Sequence, residues 1–177
     1  MVEIEGVFLT LKQIIALTDK LVRSAIKFLI KKYPLELKLI QQIISNKNEN
    51  NDRLQELATI KKIPIITWKK ANKILGISPQ KGSLGEKREF TFSEEQELLK
   101  RTNSLMLFLT HFPDRSDHFY AKIDKKKNNP AINKVRKFDL IARDCGEIAG
   151  GGEREDSYYK LKKRISTLPK NISKELK

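Results

Sequence analysis

The chain has 177 residues, enough for one domain with a sizeable core and short for two. With 39% hydrophobic and 33% charged residues it is globular in composition and not plainly disordered. The net charge of +14 favours an anionic partner such as nucleic acid or nucleotide, although a genome rich in Lys, Ile and Asn codons would produce the same excess. Aromatics are few, at 7%, and none interleaves a Lys/Arg run, so stacking on single-stranded bases is not signalled. Cys145 is the lone cysteine, which excludes an intrachain disulfide and fits a reducing, cytoplasmic setting. No apolar run is long enough to cross a membrane, and the acidic start at Met1–Glu5 does not read as a signal peptide.

Val2, Ile4 and Gly6 alternate with Glu3 and Glu5 ahead of Val7-Phe8-Leu9, which predicts a strand. Thr10 then caps a helix to about Lys32, with Leu11, Ile14, Ile15, Thr18, Leu21, Val22, Ala25 and Leu29 on one face. Pro34 stops it and opens a second helix. Asn46 to Asp52 is a polar loop. Ile63 to Ile66 is a short extended piece, and Thr67 caps a helix through Leu75 that ends at Gly76. Residues 76–92 form a glycine-bearing loop. Ser93 to Gln96 reads as a capping box opening a helix to about Thr102.

Leu105 to Leu109 is a buried strand, Phe119 to Ile123 a second, Val135 to Ala142 a third, and Glu147 to Gly152 a fourth that breaks up in glycine. Residues 124–130 form a hairpin loop, Glu155 to about Ser166 a helix, and Leu168 to Lys177 a frayed end. Helices first and consecutive strands after predict an α+β domain, an antiparallel sheet flanked by helices.

The informative stretch is Phe138 to Arg154. If its two strands are neighbours, Asp139 and Glu147 converge at one end of the sheet. Two carboxylates beside a glycine run suit Mg²⁺, which takes oxygen ligands and keeps phosphate and water as the rest. Glycine lets a backbone approach a ligand closely. Arg154 presents a fork for a carboxylate or amide oxygen. By itself, a triple glycine is more often a turn. No Gly-Lys-Ser/Thr follows, so it is not a P-loop.

Asp139-Leu140, Gly146-Glu147-Ile148, Gly150-Gly151 and Arg154-Glu155, at these spacings, resemble the signature of asparaginyl-tRNA synthetases, in the asparagine/aspartate branch of class II. Phe112-Pro113 with Phe119-Tyr120 is similar to the family's "FP…FY" segment. Ile66-Thr67-Trp68 with Ala71 and Leu75 is similar to its "ITY-x-x-A" helix, and Glu3-Ile4-Glu5 with the following helix to the stretch after its second motif. The resemblance runs from Glu3 to about Ile165.

It implies a partial class II catalytic domain over residues 1–177, without the N-terminal anticodon-reading barrel, the first motif or the third motif. It also implies ATP and Mg²⁺ as cofactors, with Glu147 holding the metal and Asp139 assisting, and Gly150 and Gly151 beside the nucleotide. Arg154 would take the amino-acid side-chain oxygen, with Glu153 and Tyr120 at the substrate. The implied partners are asparagine or aspartate, tRNA, and a second copy of the chain. Gly150, where aspartate-specific relatives tend to carry serine, tilts the reading to asparagine.

Glu153 departs from the family's glutamine, and Asp117 from a basic residue; both suit an amide or ammonium group. Gly-Gly-Glu-Arg-Glu also resembles the archaeal synthetase-derived asparagine synthetases, which keeps amidation of aspartate without tRNA as an alternative, beside a non-catalytic nucleotide- or tRNA-binding module. The family's phosphate-binding arginines of the second and third motifs have no counterpart in the sequence. His111, His118 and Cys145 match no common zinc spacing. The Lys125–Lys127 and Lys160–Arg164 clusters read as solvated surface or as phosphate contacts.

Overall fold

A computed structural model describes residues 2–44, 56–57, 59–77, 90–114, 119–124 and 133–168. The chain divides into two compact units, one of Ile15–Ile63 and one of Met1–Ile14 with Pro64–Lys177. No described helix is long and apolar enough to cross a membrane. The polar loop 46–52, most of the loop 76–92, Asp117, His118, the tip 125–130 and the end beyond Leu168 lie outside the described residues.

Helix α1 (Leu11–Lys32) starts in the larger unit and continues into the smaller, which also holds α2 (Pro34–Ile44). Both helices occur where the apolar periodicity places them. Thr10 donates from its N–H and its hydroxyl to Gln13 Oε1 at the start of α1. Pro34 opens α2, where a missing N–H costs nothing. Asp19 pairs with Arg23 one turn on, at 2.6 Å, and accepts the Ile63 N–H at 3.3 Å.

The larger unit carries β1 (Ile65–Thr67), α3 (Trp68–Leu75), α4 (Phe92–Arg101), β2 (Met106–Pro113), β3 (Lys134–Ala142), β4 (Gly146–Gly152) and α5 (Tyr158–Ser166). The caps of α3 are those its sequence announces. Thr67 accepts the Lys70 N–H, and Gly76, at φ 73°, sends its own N–H back to the carbonyls of Asn72 and Lys73. The capping box of α4 lies two residues earlier than the sequence suggests. Thr91 accepts the Glu94 N–H while the Glu94 carboxylate accepts the Thr91 N–H. Thr-x-x-Glu competes with Ser-x-x-Gln here, and a carboxylate is the stronger acceptor at a helix N-terminus.

The strands form one sheet in the order β1-β2-β3-β4. The β2–β3 and β3–β4 pairs are antiparallel, but β1 runs parallel to β2, so the sheet is mixed rather than antiparallel. The reason is connectivity: α3 and α4 intervene between β1 and β2, and a crossover of that length returns the chain in the same direction. Every residue of Met106–Thr110 is buried, which explains the continuous apolar run of β2.

On one face, Leu107, Leu109, Val135 and Ile141 pack with Ala71 of α3 and Leu98 and Leu99 of α4. On the other, Phe108 and Phe138 meet edge to face, with centroids 5.5 Å apart.

Four other expectations change. Val2–Gly6 forms no strand and pairs with no described strand, and Val2, Ile4, Val7 and Phe8 are exposed. Alternation gives a strand only when a neighbour completes the ladder. Phe119–Ile123 likewise contributes just two isolated bridges, Ala121 with Arg154 and Ile123 with Val135. The last helix begins at Tyr158 instead of Glu155, because the buried Glu155 carboxylate accepts the Ser157 N–H in the approach to it. Gly150–Gly152 also stay within β4 instead of breaking it.

Candidate active site

β3 and β4 position the predicted carboxylates. Asp139 stands between Leu109 of β2 and Gly150 of β4, and Glu147 stands opposite Ile141. Because strand side chains alternate, Lys137, Asp139 and Ile141 share one face. Their cleft, of about 170 Å³, is lined by Phe90, Glu95, Leu109, Phe112, Lys137, Asp139 and Glu147.

Gly150 makes the convergence possible. A Cβ there would lie 2.5 Å from Glu147 Oε1 and 3.5 Å from Asp139 Oδ1, so both carboxylates bend over a stretch of bare backbone. Gly152 answers a different demand: its Cβ would sit 2.9 Å from the Arg136 carbonyl oxygen, and backbone cannot step aside as a side chain can. Gly151 points to the opposite face, where a Cβ would come 2.8 Å from the Phe138 ring. It packs the sheet and does not face the cleft.

Two convergent carboxylates fit Mg²⁺ brought in with phosphates and water. Among the described residues no group of three or more His, Cys, Asp or Glu is placed to hold a metal, so an all-protein cage is not built here. Lys137 adds a cation to the same wall, with Nζ 5.9 Å from the Phe112 ring centroid.

Arg154 continues the alternation of Gly150 and Gly152 past the end of β4. Its guanidinium lies 4.8 Å from the Tyr120 ring centroid and donates to Glu5 Oε1 at 3.1 Å. The pair is open to solvent, with side-chain exposures of 67% and 84%. Tyr120 is half-buried against the core and meets Phe119 edge to face. Arg154, Tyr120 and Glu5 thus form a second locus, with a cation, an acceptor and an aromatic wall.

Glu153 is turned elsewhere. Its carboxylate accepts the Leu11 N–H at 3.1 Å and Arg136 Nη1 at 3.0 Å, and Lys122 Nζ lies 3.3 Å away. Burial pushes its pKa up, but the Leu11 amide and the Arg136 and Lys122 cations outweigh that and hold it below the ordinary range. The substrate contact expected of it is not what the structure places at this side chain.

Glu5, Lys137 and Glu95 are not singled out as site residues by the sequence pattern. Lys137 was accessible, since it lies two residues before Asp139 on the same strand. Glu5 and Glu95 reach their places through tertiary structure alone. Cys145 is exposed, and the His111 imidazole meets Thr110 Oγ1 at 3.0 Å; neither belongs to a metal cluster among the described residues.

A sheet with helices on one face, a carboxylate pair over a glycine and an arginine beyond it define a class of protein. A family model described as tRNA synthetases class II (D, K and N) matches residues 1–176, and the chain belongs to that family. Among curated relatives, it is 31% identical over 176 residues to the asparagine–tRNA ligase of Ureaplasma parvum serovar 3, covering 95% of this chain and 37% of that protein. It is also 31% identical over 176 residues to the asparagine–tRNA ligase of Mycoplasma genitalium, with the same two coverages.

Among solved structures, asparaginyl-tRNA synthetase from Pyrococcus horikoshii complexed with asparaginyl-adenylate matches with a TM-score of 0.67 at 22% identity, over 95% of this chain and 36% of that one. Aspartyl tRNA synthetase from Entamoeba histolytica matches with a TM-score of 0.66 at 21% identity, over 100% and 34%. At these identities the structural likeness shows the fold. The chain spans little more than a third of the length of the curated relatives it matches.

Proposed function

We propose that this chain forms the amino-acid and nucleotide-metal side of an asparagine–tRNA ligase site, which activates asparagine with ATP for transfer to tRNA. The observation that carries the choice of asparagine is the Arg154–Glu5 pair. A primary amide offers a carbonyl oxygen to a guanidinium and two N–H donors to a carboxylate. An aspartate carboxylate meeting the same pair would be repelled by Glu5. Near Arg154 the substrate's α-carboxylate would attack the ATP α-phosphate in line, forming asparaginyl-adenylate as the α–β phosphoanhydride bond breaks and pyrophosphate leaves.

Glu147 and Asp139 would hold the Mg²⁺, which supplies charge neutralisation for the phosphates. Lys137 would add a fixed cation at the same wall. Stabilisation by preorganised cations dominates phosphoryl-centre chemistry, so the reaction would also call on phosphate-binding arginines. A second reading, amidation of aspartate without tRNA, is favoured by Glu153 standing in Gly-Gly-Glu-Arg-Glu. That carboxylate is engaged by Leu11, Lys122 and Arg136, which supports holding the ligase reading first.

The test is titration of the purified 177-residue chain with sulfamoyl analogues of asparaginyl- and aspartyl-adenylate. The asparaginyl compound is expected to bind more tightly; equal binding, or preference for the aspartyl compound, overturns the reading. ATP–pyrophosphate exchange with asparagine, with aspartate and with neither then reports whether the chain completes the reaction alone. Formation of asparagine and AMP from aspartate and ammonia without tRNA would instead establish the alternative.

Glu147→Gln and Asp139→Asn each remove one ligand charge. Either change is expected to weaken Mn²⁺-dependent nucleotide binding by on the order of 10-fold or more, read by paramagnetic broadening of the nucleotide resonances. If both variants bind as the parent does, the metal assignment is wrong.

A further inference from the structure

Glu153 follows Gly152 and precedes Arg154, yet its carboxylate is buried, with a side-chain exposure of 8%. Its donors come from three segments: Leu11 at the start of α1, Lys122 from the 119–124 piece, and Arg136 of β3. Lys122 and Arg136 are themselves tied outward, to Asp156 and Asp124. A carboxylate buried against two cations and a backbone amide is geometrically fixed, because losing a cation leaves charge uncompensated and losing the amide leaves an acceptor unsatisfied.

The segment from Glu5 to Leu11 therefore meets the 153–154 stretch at both ends. Leu11 is held by Glu153, and Glu5 by Arg154. The two ties differ in strength. The Glu5–Arg154 pair is exposed, and such pairs are screened and weakly restrained. The Glu153–Leu11 tie is buried. Between them the backbone turns at Val7–Phe8, where Phe8 adopts φ 63° with its side chain in solvent. A bulky residue in the left-handed region is strained and persists where flanking contacts over-determine it. Phe8 makes no buried contact that would do so.

We propose that Glu153 is a positioning residue for amino-acid selectivity: by holding the Leu11 amide it fixes the turn at Val7–Phe8 that delivers the Glu5 carboxylate to Arg154. This rests on the reading of Arg154 and Glu5 as the amide-recognising pair. Glu153 itself touches no substrate.

The experiment follows the Arg154 Nε–H resonance of the ¹⁵N-labelled full chain. Glu5→Gln is expected to shift it. Glu153→Asp keeps the charge for Arg136 and Lys122 but draws the carboxylate back from Leu11. It is expected to move the Arg154 resonance to the same place and to speed exchange of the Leu11 amide about tenfold. With Glu153→Asp present, Glu5→Gln should then add nothing. Glu153→Gln, which keeps side-chain length, serves as the second variant if the aspartate form does not fold. A merely structural role predicts shifts that add, and additive shifts, or an Arg154 resonance unmoved by either Glu153 variant, overturn the proposal.

A second arm measures preference for asparagine over aspartate, which should fall by about fivefold to tenfold in Glu153→Asp. A chain that binds neither amino acid defeats the amide-site reading, while the resonance coupling still decides the role of Glu153.

Discussion

Arg154→Ala is expected to lower affinity for the asparaginyl-adenylate analogue by about 2–3 kcal/mol, roughly 30- to 150-fold, while leaving the fold intact. On the proposed reading the guanidinium would supply charge-assisted donors to the side-chain oxygen, and without it that oxygen would face the Glu5 carboxylate and the Tyr120 ring. The fold survives because the Arg154 side chain is exposed and its ion pair with Glu5 is a surface one. The local bridge to Ala121 is made by backbone, which alanine keeps.

Arg154→Lys should recover little, since an ammonium cannot present a planar fork. The companion change, Glu5→Gln, should narrow the difference between asparaginyl and aspartyl analogues, because it removes the charge that rejects a carboxylate. Calorimetric titration of both analogues into the three variants measures this. Affinity unchanged in Arg154→Ala would remove the arginine from the site.

The parts of this molecule that a linear reading captures are those whose chemistry is local. Helix α3 is announced at both ends, by Thr67 and by Gly76, and its structure follows those signals. Asp139, Glu147 and Gly150 come together because they belong to one hairpin, whose pairing is dictated by the short link between β3 and β4. Where the reading failed, the missing information was a partner. Val2–Gly6 alternates as a strand does, but alternation cannot say what lies beside it. The direction of β1 depends on the path of the chain through α3 and α4, not on the residues of β1.

Glu5 meets Arg154, 149 residues away, and Glu153 meets the Leu11 amide, 142 residues away, separations at which sequence pattern carries no signal. Glu153 shows the limit most plainly. Its neighbours in sequence pointed to substrate, whereas its neighbours in space are a helix N-terminus and two cations.

Those neighbours give Glu153→Ala a large expected cost to stability. Removing a paired, buried carboxylate leaves Arg136 and Lys122 facing each other and the Leu11 N–H without its acceptor. Loss of one member of a fully buried pair costs about 3–5 kcal/mol. Arg136 and Lys122 keep 29% and 18% side-chain exposure and regain some water, which reduces the expectation to about 2–3 kcal/mol.

The pH dependence separates this from simple loss of packing. Glu153 is held below its ordinary value of 4.5 in the folded chain, against the upward push of burial, by the Leu11 amide, Arg136 and Lys122. As pH falls, the unfolded chain takes up this proton first. The carboxylate's contribution is therefore complete above the unfolded value and declines as pH falls through the lower folded value. Urea unfolding should show a constant gap between the parent and Glu153→Gln from neutral pH down to about pH 5.5, closing below the ordinary glutamate range. Trp68 is the single tryptophan and belongs to the same compact unit, so its fluorescence reports the unfolding that matters. A gap that persists unchanged into acid would mean that side-chain volume, not charge, is what Glu153 contributes.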